Sequence, residues 1–599
     1  MLARLKSEIA YARGLVRALA RTRPIAENPT MTLGDHLERW AKTYGERVAL
    51  LDERSSLTYN QLNERANRYA RWARAQGLVK GDAVCLMSLN RAEHVAIWMG
   101  MARAGLATAL INTNLAGPSL AHSIAIVSAK AAIVDASLLA QYSSALPKLT
   151  TPPKLFAIGP ASTEAPRLDI EIETFDGRAL DADERPALTI DDPALFIYTS
   201  GTTGMPKAAR ITHSRTLRIM YGFAAVTGAR ADDRIYDCLP MYHTNGGVIA
   251  IGIALTVGGS CYIRERFSAS EFWSEAIRRD CTMFIYVGEL CRYLQNAPPN
   301  DRDRAHRIRL AVGNGLRPDI FAAFRARFGI REIREFYAAT EGNVALFNFD
   351  SYPGAVGRMP SWAAKRFPLR TIAYDVDANE ERRDAQGRCI ECAIDETGEL
   401  LGEIDDDPAK PASKFDGYCD PEATRKKILR DVFKPGDAWF RTGDLLKRDA
   451  RGYYYFVDRI GDTFRWKGET VSTTEVAETL STFPGVHEAT VYGVAVPGHE
   501  GRAGMAAVVV DDVASFDIAG LRATLAERLP AYARPLFLRF KPKLDLTGTF
   551  KPRKVELVAD GFDPAKSDDP IYFDDRRAGA YVRIGSEFLA GLKAGAIAL

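Results

Sequence analysis

From residue 31 onward, short runs of β-branched and apolar residues alternate with stretches whose apolar positions recur every three or four residues. Runs at 48–52, 83–89 and 109–112 are separated by helical spacing over 59–76 and 91–104. Strands divided by helix-length segments predict an α/β fold with parallel sheets covered by helices, in which ligands sit outside the carboxyl ends of strands. A second alternating region covers 230–350, with expected strands at 235–239, 283–287, 309–312 and 333–336, each ending in polar or glycine residues. The stretch 376–440 is charged and turn-rich and reads as short antiparallel strands. Residues 462–555 hold strand patterns at 489–496 and 504–510 and a helix at 518–528, enough for a small α+β domain. The expected organisation is an N-terminal helix to residue 30, a large domain over 31–460 and a small one over 461–599.

The amino terminus has a pattern of its own. Leu2, Leu5, Ile9, Ala12, Val16 and Leu19 fall at alternating three- and four-residue intervals, one face of a helix. Arg4, Lys6, Arg13, Arg17, Arg21 and Arg23 against Glu8 alone give residues 1–23 a net charge of +5. Such a basic amphipathic helix suits either the headgroup region of an anionic membrane or a docking face on its own protein. No apolar stretch reaches the ~18 residues of a spanning helix; the nearest, 246–259, reads as a buried helix or strand. The expected location is therefore cytoplasmic, with peripheral contact at the inner membrane face through residues 1–23. Over the whole chain, 79 basic and 76 acidic residues leave a net charge of +3, which provides no field for nucleic acid. Eight cysteines are scattered, and the one close pair, Cys389 and Cys392, lacks the second pair of a structural zinc site.

The densest chemistry lies at 196–213, where an apolar run stops at Thr199-Ser200-Gly201-Thr202-Thr203-Gly204 and then Lys207. Glycines let successive N–H groups converge on an anion, the hydroxyls add donors, and the lysine adds a point charge, so the loop suits phosphate. Lys207 follows Met205-Pro206 rather than a glycine, which departs from the P-loop spacing. A plain Ser/Thr/Gly hairpin is the alternative reading of any fragment of it.

Six segments occur in order: 199–207, Pro240-Met241-Tyr242-His243, Gly313-Asn314-Gly315, Tyr337-Ala338-Ala339-Thr340-Glu341, Arg441-Thr442-Gly443-Asp444-Leu445 and Asp458-Arg459. Together they resemble the adenylate-forming superfamily of acyl-CoA synthetases, luciferases and adenylation domains. Within it, 285–294, 336–343 and 462–476 resemble the fatty acid transport protein and very-long-chain acyl-CoA synthetase family, and the likeness runs from about residue 33 to residue 584.

The resemblance implies a large domain of parallel-rich sheets with a small β-barrel-like part, followed by a mobile α+β domain. It also implies a two-step reaction, in which a fatty carboxylate attacks the α-phosphate of ATP to give acyl-AMP and pyrophosphate, and coenzyme A then displaces AMP. Mg²⁺ bridging the phosphates needs a hard oxygen ligand, for which Glu341 is the candidate. Tyr337 is implied to stack on adenine beside Gly313, Asn314 and Gly315, with Ala338, Ala339 and Thr340 following it; Ala338 stands where the family commonly has glycine. Asp444 is implied to accept the ribose hydroxyls, and Arg459 to meet the ribose and phosphate side. His243 is assigned to positioning, because a carboxylate nucleophile is already ionised and needs no general base.

Thr547-Gly548-Thr549-Phe550-Lys551 resembles the family's catalytic-lysine motif, with Lys554 the competing assignment. Gly461 is the implied hinge, and Lys467, Gly468 and Glu469 the implied path of the pantetheine arm. Two other functions fit the chain less well: a lipid-binding or transport-associated protein with a vestigial adenylating site, and a ligase that passes its acyl group to an acceptor other than coenzyme A.

Overall fold

The structure, a computed structural model, describes residues 2–159, 165–199, 205–364, 367, 369–376, 378–407, 410, 412–467, 469–497, 499, 501–547 and 552–593. Its contacts divide the chain into two units. The first comprises Met1–Pro360, Gly402–Arg430 and Asp437–Phe440; the second comprises Ser361–Leu401, Asp431–Gly436 and Arg441–Leu599.

The first unit contains two sheets of the expected kind. In one, the strands stand in the order Lys154–Ile158, Ala131–Asp135, Ala83–Met87, Ala107–Leu110, Pro193–Thr199 and Lys207–Thr212. All neighbours are parallel except the last two, which form a hairpin with Thr199 opposite Lys207. The other sheet runs Val48–Leu51, Ser260–Ile263, Arg234–Asp237, Met283–Val287, Leu310–Asn314 and Glu332–Ala338, again parallel. Ser56–Thr58 pairs antiparallel with Val48–Leu51 at one side of this run; at the other, Ala345–Phe347 pairs antiparallel with Glu332–Ala338 and in turn with Gly357–Arg358.

The strands at 83–87 and 131–135 are buried throughout, as continuous apolar runs in covered parallel sheets should be. The helix Tyr59–Ala75 starts at a capping box: the Thr58 amide donates to Gln61 Oε1 at 2.9 Å and the Gln61 amide to Thr58 Oγ1 at 3.2 Å. The run at 246–259 forms neither a strand nor a single α-helix. It opens as a π-helical turn over Asn245–Ala250 and continues as an α-helix over Ile251–Leu255. A Cβ on Gly247 would lie 2.0 Å from the Met241 carbonyl oxygen, so this turn packs its backbone directly on the 239–243 loop.

In the second unit, residues 444–448 of the strand Ala438–Arg448 pair antiparallel with Tyr453–Arg459, and the turn-rich stretch supplies Leu369–Asp375 and Glu380–Glu381. The C-terminal sheet is ordered Glu488–Ala495, Arg502–Val509, Phe537–Phe540, Ile571–Asp575 and Ala580–Arg583. Its core gathers Val491, Met505, Val508, Leu521, Leu525, Phe537 and Leu538, with Val476 and Leu480 contributed by the helix Thr473–Ser481.

The N-terminal helix spans Leu2–Glu27 and lies on the first unit. The face that docks holds Tyr11, Gly14 and Ile25, whereas Leu5, Ile9 and Val16 of the expected apolar stripe point outward. The helix thus docks on its own protein along one face, and part of the apolar stripe stays exposed on another. No helix among the described residues is long and apolar enough to cross a membrane.

Candidate active site

The buried strand Pro193–Thr199 carries its chain to the hydroxyl- and glycine-rich loop, and the pairing of Thr199 with Lys207 closes that loop at its base. Ser200, Gly201, Thr202, Thr203 and Gly204 lie outside the described residues. The Lys207 ammonium stands 6.0 Å from the centre of the Tyr418 ring. The Tyr418 hydroxyl donates to Glu341 Oε1 at 2.7 Å, and Glu341 is 8% exposed. Burial first, and then the Glu341 carboxylate, raise the Tyr418 phenol well above its ordinary value, so it stays a donor. Tyr418 reaches this place because the Arg210 amide donates to Gly417 O at 3.0 Å and the Cys419 amide to Ala208 O at 2.9 Å. A cation, a hydroxyl and a nearly buried carboxylate thus gather at the base of the phosphate-type loop.

The segment 339–342 is fastened from below by Arg215, whose Nε donates to Thr340 O at 2.9 Å and whose Nη2 donates to Ala339 O at 3.0 Å and to Gly342 O. Thr340 and Thr244 share a hydroxyl hydrogen bond of 3.1 Å, and Asn245 Nδ2 donates to Asn314 Oδ1 at 2.9 Å. These two bonds tie the 337–341 and 313–315 segments to Thr244 and Asn245, which directly follow the 240–243 segment. His243, just before them in the chain, is half-buried, its ring 4.6 Å from that of Tyr242. Tyr337 is half-buried at the end of Glu332–Ala338, while Ala338 is exposed opposite Ala345.

Gly313 ends the buried part of Leu310–Asn314, and Gly315 adopts φ +80, a backbone region that glycine enters without cost. The turn is held by Glu335, 3% exposed. Its carboxylate accepts from the Gly315 amide at 3.0 Å, the Leu316 amide at 3.1 Å and the Tyr286 hydroxyl. Burial pushes the Glu335 carboxyl up to about 7 against the pull of these three donors.

The second unit assembles the remaining nucleotide candidates in one hairpin. Asp444 stands opposite Arg459, with Arg459 Nε 3.7 Å from Asp444 Oδ1. Gly443, at φ +76, donates its amide to Glu399 Oε1 at 3.1 Å, and Thr442 Oγ1 donates to Leu400 O at 2.7 Å. Glu399 is fully buried and also accepts from Arg441 Nη2 at 2.7 Å, so the strand presenting Asp444 is fixed on both sides.

Gly461 occupies the turn in which the Asp462 amide donates to Arg459 O at 3.0 Å. Lys467, exposed at φ +54, holds its ammonium 5.7 Å from the Trp466 ring centre, and Glu469 is exposed on the strand paired to Trp466. Gly468 and Lys551 lie outside the described residues. Lys554 Nζ is engaged by Asp462 at 3.4 Å and Thr473 Oγ1 at 3.1 Å.

Tyr418, Arg215 and Glu335 escaped the sequence reading. Tyr418 sits in the turn-rich stretch with no local pattern around it. Arg215 reads as an ordinary residue of the helix His213–Thr227. Glu335 occupies a strand interior, where a carboxylate is buried only when partnered, and that is the one signal that could have singled it out. Among the described residues no three His, Cys, Asp or Glu side chains gather for a metal. A lone carboxylate fits Mg²⁺, which binds through one or two carboxylates and takes its other ligands from substrate phosphates and water.

Fold and site together define an AMP-binding enzyme. The family profile described as AMP-binding enzyme matches residues 37–388, and that of the AMP-binding enzyme C-terminal domain matches 475–551. Among solved structures, an anthranilate CoA ligase in complex with anthranoyl-AMP aligns with a TM-score of 0.75 at 23% identity, covering 88% of this chain and 96% of that one. ATP-bound MatB from Rhodopseudomonas palustris aligns at 0.72 and 23% identity over 88% and 99% of the two chains. Long-chain fatty acid transport protein 1 of Homo sapiens is 42% identical over 562 residues, 92% of this chain and 86% of the relative. Long-chain fatty acid transport protein 3 of Homo sapiens is 43% identical over 524 residues, 86% and 76% of the two. The chain belongs to the long-chain fatty acid transport protein family of AMP-binding enzymes.

Proposed function

We propose that the protein is an ATP-dependent long- or very-long-chain fatty acyl-CoA synthetase, acting in the cytoplasm on fatty acid that arrives at the inner membrane face. The observation that carries the reading is the cluster of Lys207, Tyr418 and Glu341 at the base of the 199–207 loop, in a chain 42% identical to a long-chain fatty acid transport protein. In the first step the fatty carboxylate oxygen bonds to the α-phosphorus of ATP while the bond to the β-phosphate oxygen breaks, and pyrophosphate departs. The hydroxyls and N–H groups of 199–204 with Lys207 take up its charge. Glu341 would hold Mg²⁺ together with the phosphates, and the ion would neutralise charge there. Tyr418 fixes the Glu341 carboxylate, and Arg215 fixes the 339–342 segment that bears it.

Tyr337 and the turn at Gly313, Asn314 and Gly315 receive adenine, Ala338 and Ala339 flanking it, while Asp444 and Arg459 receive the ribose and its phosphate side. His243 and Thr340 orient the acyl and phosphate groups. Lys551, carried by residues 461–599, places an ammonium on the α-phosphate as it becomes five-coordinate. In the second step the coenzyme A sulfur attacks the acyl carbonyl and AMP leaves. A turn of the small domain at Gly461 brings Lys467, Gly468 and Glu469 to the pantetheine path.

The test measures pyrophosphate release and thioester formation across carboxylates of increasing chain length, with and without coenzyme A. Pyrophosphate release with long-chain acids and thioester only when coenzyme A is present is the expected result. Lipid binding without pyrophosphate release would establish a vestigial site, and acyl-AMP that ignores coenzyme A would establish another acceptor; either overturns the proposal.

A further inference from the structure

The helix Leu2–Glu27 has two apolar faces, and the first unit uses one of them. On the docked face the Tyr11 ring meets Phe349 edge-on at 5.3 Å, its hydroxyl lies 3.5 Å from the Met359 sulfur, and Ile25 is buried. A Cβ on Gly14 would come within 2.3 Å of the Phe349 ring, so the two elements touch closely. Arg17 Nε donates to Ala225 O at 3.1 Å, and Glu8 pairs with Arg358. On the opposite face Leu5, Ile9 and Val16 remain 56%, 41% and 65% exposed. They stand four and seven residues apart, one line along a helix, and three large side chains in a line are more than the scattered exposed apolar residues of an ordinary surface.

The charge around this line is one-signed. Arg4, Lys6 and Arg13 border it, Glu8 is taken by Arg358, and Glu27 is paired with Arg23 at 2.6 Å. One and two turns beyond Val16 along the same side, Ala20 and Pro24 form the rim of a cleft of about 400 Å³. Arg21, Arg39 and Arg230 line the cleft together with Tyr44 and Tyr221, and no carboxylate lines it. Arg39 Nη2 is engaged by the neutral groups His36 Nδ1 at 2.8 Å and Tyr221 Oη at 2.8 Å. Burial, and then Arg39, depress the His36 imidazole to about 4, so it adds no charge at neutral pH. Arg21 and Arg230 form no ion pair with a carboxylate among the described residues. Three arginines thus line one partly enclosed space without a carboxylate, and the ligand that suits such a lining is an anion with several oxygens, which guanidinium groups bind in forked pairs.

We propose that this side of the first unit docks on an anionic phospholipid bilayer, with Leu5, Ile9 and Val16 in the acyl boundary and a headgroup phosphate in the Arg21–Arg39–Arg230 cleft. The helix therefore lies in the interface, held to protein on one face and to lipid on the other. The inference deepens the peripheral location proposed above and uses no residue of the nucleotide cluster, so a vesicle-binding test and the ligase test fail separately.

The test is sedimentation of the full chain with vesicles of phosphatidylcholine alone and of phosphatidylcholine mixed with phosphatidylglycerol. The wild type is expected to favour the anionic vesicles. Arg21→Gln with Arg230→Gln should bind them about 30-fold less tightly, the effect of two charges at a bilayer surface, whereas Arg21→Lys with Arg230→Lys should retain binding. Leu5→Ser, Ile9→Ser and Val16→Ser together should lower binding to both vesicle types by at least about 10-fold. A urea midpoint within about 1 kcal/mol of wild type checks that each variant is folded. Equal sedimentation of wild type and the Gln variant with anionic vesicles overturns the proposal. So does a Gln variant that loses binding of inorganic phosphate in solution while still sedimenting undiminished, because the cleft is then a soluble-anion site.

Discussion

Glu335→Gln tests whether one buried carboxyl governs the turn at Gly313, Asn314 and Gly315. With its carboxyl at about 7 against an ordinary 4.5, Glu335 keeps in the folded chain a proton that the unfolded chain has released. Stability therefore falls as pH rises through that window, because the folded state binds more protons there than the unfolded state. The full interval is worth about 3 kcal/mol, absent below the lower value and complete above the upper one. Glutamine removes this dependence and adds a cost of its own. One carboxylate oxygen becomes an NH₂ group, so either the Gly315 or the Leu316 amide loses its acceptor. An orphaned buried N–H costs about 1–3 kcal/mol. The variant should accordingly be less stable than wild type by that amount near pH 5 and level with it near pH 8, since by then the wild type has lost about as much through ionisation. Urea unfolding of both proteins at each pH measures this, and every other titrating group cancels in the difference. A stability difference that stays constant across the range would refute the assignment of the raised carboxyl to Glu335.

Lys551→Ala should slow acyl-AMP formation a few hundredfold, the effect of about 3–4 kcal/mol on an α-phosphate gathering charge, while supplied acyl-AMP is still converted to thioester. Undiminished ATP–pyrophosphate exchange in that variant excludes the role. Tyr418→Phe removes the 2.7 Å bond to Glu341; a hydrogen bond to a charged group is worth about 1.5–3 kcal/mol, so the Mg²⁺ concentration giving half-maximal exchange should rise roughly tenfold or more. An unaltered Mg²⁺ requirement separates Tyr418 from the metal site. Arg215→Ala frees the carbonyls of Ala339, Thr340 and Gly342 and should destabilise the first unit by about 3 kcal/mol, whereas Arg23→Ala at an exposed pair should cost under about 1 kcal/mol. Urea midpoints of the two variants measure the contrast.

What the sequence disclosed divides along a physical line. The strand at Met283–Val287 and the helix at Ile518–Arg528 fall where the pattern places them, because each is a local apolar run or a 3.6-residue period bounded by turn residues. The parallel sheets follow from the same alternation. The groups that hold the site in place are of another kind. Tyr418 meets Glu341 only because a turn pairs with Ala208 and Arg210, some two hundred residues away in the chain, and no local period encodes that pairing. Arg215 reaches the 339–342 carbonyls from the first turn of a helix whose apolar periodicity says nothing about its polar side. Glu335 sits in a strand whose alternation marks it as buried yet cannot name Tyr286 and two amides as its partners.

The N-terminal helix makes the same point most sharply. Its apolar stripe includes Leu5, Ile9 and Val16, which stay exposed, whereas Tyr11, Gly14 and Ile25 form the face that the protein itself covers. A hydrophobic period identifies a surface to be removed from water, and only the packed structure says which surface has been removed already. Leu5, Ile9 and Val16 are the part of the stripe that the fold leaves in water.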